Sequence, residues 1–169
     1  PVNIEFKSVT LEYDRRKTIL DNLSLKIEAN SSVAFVGTSG AGKTSLIDMI
    51  PLLLLPNKGE IFFNNNKFNN IDIENWRKGI GYVSQDSVIF DGSILYNICF
   101  KKNLSTLSES ELERVTESLK TAQLKEIINQ LEHGLDTQVG DRGIKLSGGQ
   151  KQRLFIAREI YREPHLLIM

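Results

Sequence analysis

The chain has 169 residues, 40% hydrophobic and 25% charged, the ordinary balance of one globular domain with a real core. Lysine plus arginine is 21 and aspartate plus glutamate is 21, for a net charge of 0, so the basic excess of a general nucleic-acid or anionic-membrane binder is absent. The single cysteine, Cys99, excludes an internal disulfide, and the greasiest stretch, Ile47 to Leu55, is interrupted by Asp48 and Pro51 and falls short of the ~20 apolar residues of a spanning helix.

Ile4, Phe6, Val9, Leu11 and Tyr13 alternate with polar residues, with one slip near Ser8, and Leu23, Leu25 and Ile27 alternate again. Both read as half-buried strands forming an antiparallel pair, with Asp14 to Lys17 as the turn between them. Ser32 to Val36 is a continuous apolar run, the pattern of a strand covered on both faces. A glycine-rich loop follows, then a helix from about Lys43 to Ile50 that Pro51 ends. Gly59 to Phe63 reads as a strand with Asn64-Asn65-Asn66 as its turn, and Ile80 to Val83 as a short buried strand.

From Ser93 to about Leu131 the pattern is helical. Ser108 and Glu111 form a capping box ahead of Leu112, Val115 and Leu119, and Leu124, Ile127, Ile128 and Leu131 make a second apolar stripe; both stripes are read as core packing. Ser147 caps a further helix to about Arg162, Pro164 closes it, and His165 to Met169 is a final buried strand. Strands alternating with helices around a strand that feeds a glycine loop give an α/β fold with a mainly parallel sheet. Pro1 is not a methionine, and the last apolar run stops without a turn, so the chain is expected to be cut from a longer polypeptide.

Gly37-Thr38-Ser39-Gly40-Ala41-Gly42-Lys43-Thr44 satisfies G-x-x-x-x-G-K-[ST] at every position. The chemistry requires those residue types. A polyphosphate concentrates negative charge, and glycines let backbone N–H groups curl closely round it. The helix starting near Lys43 points its positive end at the same place. The Lys43 ammonium adds charge near the β and γ phosphates, and the Thr44 hydroxyl can ligate Mg²⁺. This motif says nucleoside triphosphate without choosing among many P-loop families.

Leu146-Ser147-Gly148-Gly149-Gln150 opens a second helix about 100 residues later, with Lys151-Gln152-Arg153 next. Exposed glycine N–H groups and the Ser147 hydroxyl at a helix start make a second phosphate-recognition element. This sequence resembles the signature of the ATP-binding cassette (ABC) family, and the resemblance covers nearly the whole chain. It implies a P-loop NTPase core with an N-terminal antiparallel β-subdomain and an inserted helical subdomain. Residues 1–36 and 57–85 would be β-rich and core, 37–50 the P-loop and its helix, and about 93–162 the helical signature subdomain.

The resemblance also assigns roles. ATP is the ligand, bound with Mg²⁺ by Gly37 to Ser45, where Thr44-Ser45 stands in place of the commoner Ser-Thr. The signature Ser147, Gly148, Gly149 and Gln150 of one nucleotide-binding domain closes on the ATP of a second, which implies a dimer with two shared sites. Tyr13 sits where the family keeps an aromatic ring that stacks on adenine. Gln85 sits where a glutamine contacts Mg²⁺ and the attacking water, so Gln85 and Lys43 are the catalytic candidates. Asp136 to Gly143 resembles the X-loop of exporters, with Asp141 where glutamate is usual, and Ser87 to Ile94 has the same exporter character.

Leu166 to Met169 resembles the strand that ends in the Walker B aspartate. That aspartate, the catalytic glutamate and the switch histidine would then lie beyond Met169, and the 169 residues alone are expected to hydrolyse ATP poorly or not at all. His133 and His165 are not expected to substitute for them. The expected function is ATP binding, with hydrolysis in the parent, powering export. A transmembrane domain is expected upstream of Pro1, placing this domain at the cytoplasmic face of a membrane. The alternatives are a non-transport ABC-type ATPase acting on nucleic acid or the ribosome, and an importer cassette. The charge balance and the short spacing between Lys43 and Ser147 disfavour the first of these, and the X-loop disfavours the second.

Overall fold

β1 (Ile4–Asp14) and β2 (Lys17–Ile27) form a long antiparallel pair. In β1 the inward face changes parity: Ile4 and Phe6 are buried before Ser8, Val9 and Leu11 after it. Ser8 takes a left-handed φ of 50° and the pairing shifts between Phe6 and Val9, a bulge that returns the apolar set to the core. The slip in the alternation is therefore structural. Gly59, at φ 83°, packs against the Lys7 and Ser8 carbonyls, where any Cβ would collide. Here β3 (Lys58–Phe63) joins the far edge of β1, and β4 (Asn66–Lys67) completes a sheet of order β2-β1-β3-β4. Asn64 and Asn65, both left-handed at φ 48° and 67°, make the tight turn between β3 and β4.

The structure, a computed structural model, describes residues 1–14, 17–84, 86–141 and 143–169, and divides into two units, Pro1–Ile80 and Gly81–Met169. In the first, α1 (Lys43–Met49) buries Ser45, Leu46 and Met49. The carbonyls leaving α1 are satisfied by α2 (Ile73–Lys78), a helix that the sequence reading passed over. Trp76 Nε1 donates to the Ile50 carbonyl at 2.8 Å, and Arg77 donates to those of Pro51 and Leu52 at 2.8 and 2.7 Å. The Trp76 ring lies on Phe63, centroids 4.2 Å apart, which ties this end of α1 to the sheet.

One expectation is corrected. Ser32 to Val36 forms no strand, and Val33 and Val36 are exposed, Val36 at 94%. A strand exists through its ladder partners, and among the described residues the sheet of this unit has the order β2-β1-β3-β4 without this segment. The apolar composition is right for a doubly covered strand, but no described strand pairs with it.

The second unit contains, in order, β5 (Ile80–Tyr82, from Gly81 onward), β6 (Gly92–Ser93), α3 (Ile94–Cys99), α4 (Glu109–Thr121), α5 (Lys125–Asn129), β7 (Gln138–Val139), α6 (Gly148–Tyr161) and β8 (Leu166–Ile168). β5 pairs with β8, and Val83 N–H continues the ladder to the Ile168 carbonyl at 2.9 Å. The helical stripes converge on one core that includes Ile94, Leu95, Ile98, Val115, Leu119 and Leu154. The Ser108 capping box forms as the sequence predicts, and its Glu111 also bonds Lys101, at 2.7 Å. The Lys101 ammonium and the Ser108 amide hold the Glu111 carboxyl down at about 2. Cys99 is half-buried, its thiol donating to the Leu95 carbonyl, and burial raises its pKa. Among the described residues no helix is long and apolar enough to cross a membrane.

Candidate functional site

The glycine loop of the first unit is shaped by backbone conformation. Gly40 and Gly42 are left-handed, at φ 82° and 84°, and Ala41 N–H turns back to the Thr38 carbonyl at 3.2 Å. Gly42 is the N-cap of α1, with no side chain closing the helix start. The first amides of any helix lack intrahelical acceptors, so this end presents N–H groups outward. A Cβ on Gly42 would come within 2.9 Å of Leu20 and 3.1 Å of Ile19, so the loop also depends on close packing against β2. Lys43 folds back over the loop, its Nζ donating to the Gly37 and Thr38 carbonyls at 2.9 Å each. The Lys43 ammonium is thus fixed over the concave loop that its neighbours form. Thr44 is exposed and Ser45 is buried.

Tyr13, near the end of β1, exposes 57% of its surface, and its hydroxyl meets the Ser45 hydroxyl at 3.0 Å. The structure therefore brings Tyr13 and Gly37 to Ser45 together, although 32 residues separate Tyr13 from Ser45. Gln85 lies outside the described residues.

The second unit builds its helix start differently. Ser147 is the N-cap of α6 and completes a capping box: its Oγ accepts the Gln150 amide at 3.3 Å, and Gln150 Oε1 accepts the Ser147 amide at 2.8 Å. Accepting that bond leaves the Ser147 hydroxyl proton available for donation. Gly148 and Gly149 are exposed, neither is left-handed, and a Cβ on either would meet nothing within 4 Å. Nothing in the described fold requires glycine at these two positions.

Beside this helix start is a cavity of about 970 Å³, lined by Ser84, Ser87, Asp141, Lys145, Gly148 and Lys151 among others. The β6–β7 pairing brings the segment 87–94 against 136–143, with Gly92 opposite Val139 and Ile94 N–H bonded to the Thr137 carbonyl at 3.0 Å. Arg142 is outside the described residues.

Sequence reasoning missed the strut behind this surface. Arg158 of α6 is 9% exposed, yet it donates to the Asn97 carbonyl at 2.7 Å, to Asn97 Oδ1 at 2.9 Å and to the Val88 carbonyl at 3.1 Å. Its guanidinium lies 4.9 Å from the centre of the Phe90 ring. Asn97, fully buried, in turn brackets the Phe90 amide and carbonyl. Burial lowers the Arg158 pKa, but an arginine remains charged. The available signal was an arginine on the same helical face as Leu154 and Ala157.

The family described as ABC transporter matches residues 20–169. An uncharacterized ABC transporter ATP-binding protein of Bacillus subtilis is 39% identical over 99% of the chain and 28% of the relative. An ATP-dependent lipid A-core flippase of Ralstonia nicotianae is 36% identical, again over 99% of the chain and 28% of the relative. The solved structure of a bacterial Atm1-family ABC exporter with ATP bound aligns at a TM-score of 0.83, with 38% identity, over 98% of this chain and 28% of that one. The chain thus spans less than a third of the length of these relatives. The α/β fold with its antiparallel N-terminal sheet is that of the exporter neighbour.

Proposed function

This chain belongs to the ABC transporter family, and we propose that its parent protein binds and hydrolyses Mg-ATP to drive export across a membrane. The observation that carries the reading is the open start of α1: outward amides behind a left-handed Gly42, with the Lys43 ammonium held over the same loop. Gly37 to Thr44 would surround the phosphates, and Tyr13 would offer its exposed ring to the adenine. Thr44, with Gln85, would ligate Mg²⁺, which when bound supplies charge neutralisation on the phosphate oxygens.

The signature glycines support a second copy as partner. Glycine in a helix costs up to about 1 kcal/mol relative to alanine. Gly148 and Gly149 accept that cost with no neighbour to accommodate. Close approach by a group from outside the described fold accounts for them, and the phosphate tail of ATP held by another nucleotide-binding domain fits that description. The apolar and polar surface of residues 87–94 and 136–143 suits a transmembrane domain, which we place upstream on the same polypeptide, with this domain at the cytoplasmic membrane face.

The test uses two variants of the full-length protein, one with Lys43→Ala and one with Gly149→Asp. A shared site predicts that neither closes into an ATP-dependent dimer alone. A mixture should regain one composite site and associate on ATP addition, read by sedimentation or crosslinking. A mixture as inactive as its components contradicts the shared site.

A further inference from the structure

Ser45 is the residue after the one expected to hold Mg²⁺, and by sequence it belongs with the phosphate-binding group. Its position gives it another task. Ser45 is 7% exposed on α1, and its hydroxyl meets the Tyr13 hydroxyl at 3.0 Å. The Tyr13 ring is more than half exposed, so without that bond little would fix its orientation at the strand end. A second contact joins the same pieces: Ile19 and Leu20 of β2 close on Gly42 at the start of α1. The β1–β2 hairpin is therefore tied to the phosphate loop on both of its strands, at Tyr13–Ser45 and at Ile19/Leu20–Gly42.

We propose that Ser45 is a positioning residue for base recognition: its hydroxyl holds the Tyr13 ring beside the phosphate loop before nucleotide arrives, and so sets the preference for a nucleotide over a bare polyphosphate. This rests on the reading of Tyr13 as the adenine platform. A ring already oriented loses less freedom on stacking, which is how preorganisation raises affinity. The bond links side chains 32 residues apart, so it also fixes the distance from base platform to phosphate loop.

The test measures binding of Mg-ATP and of magnesium tripolyphosphate, which has the phosphates and no base, to the full-length protein and to Tyr13→Phe, Ser45→Ala, Ser45→Thr and the Tyr13→Phe/Ser45→Ala double variant. The expected result is ATP binding about fivefold weaker in each of Tyr13→Phe and Ser45→Ala, the effect of one hydrogen bond. The double variant should be no weaker than either single one, each of these variants should lose more affinity for ATP than for tripolyphosphate, and Ser45→Thr should keep ATP affinity by keeping the hydroxyl. If Ser45→Ala weakens ATP and tripolyphosphate alike while Tyr13→Phe changes neither, Ser45 acts on phosphate directly and the proposal is overturned, with the proposed function intact. If the unsubstituted protein prefers ATP over tripolyphosphate no more than a Tyr13→Ala variant does, the adenine platform itself is wrong and the inference falls with it.

Discussion

The two helix starts that the sequence marks as phosphate elements are made by opposite means. At α1 the backbone does the work: a left-handed Gly42 packs so closely on β2 that a Cβ would crowd Leu20 and Ile19, no side chain caps the helix, and Lys43 folds onto the loop carbonyls. At α6 side chains do it: Ser147 and Gln150 close a capping box, Arg158 and Asn97 brace the helix from behind, and a Cβ on either glycine would meet nothing within 4 Å. The first leaves its leading amides with no side chain over them, as the proposed phosphate site needs. The second is stabilised within its own unit and leaves its two glycines exposed, as the proposed shared site needs. The difference teaches that a glycine must be read by what surrounds it, since Gly42 and Gly148 look alike in sequence and serve different needs.

The contrast can be broken in descending order of effect. Arg158→Ala should cost the second unit the most, about 3 kcal/mol, because it removes three hydrogen bonds from a buried site, the one to the Asn97 carbonyl among them. Denaturant unfolding checks it, and a loss below about 1 kcal/mol would mean the strut is dispensable. Gly42→Ala should destabilise by about 2 kcal/mol through a strained φ and overlap with Leu20. Gly148→Ala should leave stability unchanged or raise it by up to about 1 kcal/mol, while weakening ATP-dependent association. Equal losses at the two glycines would erase the distinction. Ser147→Ala should cost about 1 kcal/mol, the value of an N-cap, with no change in ATP affinity of the isolated P-loop.

The smallest effect is a pH dependence. The Glu111 carboxyl titrates at about 2 in the fold against 4.5 ordinarily, so its contribution is complete above about 4.5 and is lost as pH falls through about 2. Melting temperatures of the protein and of Glu111→Gln should therefore differ slightly at neutral pH and converge on acidification across that window. A constant gap would assign the effect to something other than this ionisation.

What was legible in the sequence had a local cause. The capping box at Ser108, the cap at Ser147 and the asparagine turn, which Asn64 and Asn65 make while Asn66 already starts β4, each depend on neighbours a few residues away; at Ser8 the sequence shows a slip in the alternation, which the structure resolves as a bulge. Ser32 to Val36 failed because strand formation depends on partners that composition does not name. α2 was overlooked because its six residues show no apolar period; only its Asp72 cap announced it. Arg158 and the Tyr13–Ser45 bond were hidden for the same reason, since each joins residues more than 30 positions apart.

The central claim is that the amides at the start of α1 and the Lys43 ammonium together hold a polyphosphate. Titration of the full-length protein with Mg-ATP, beside Lys43→Ala, measures it directly. Removing one charge-assisted contact should weaken binding by about 10- to 100-fold. Equal affinity in the two proteins would contradict the account.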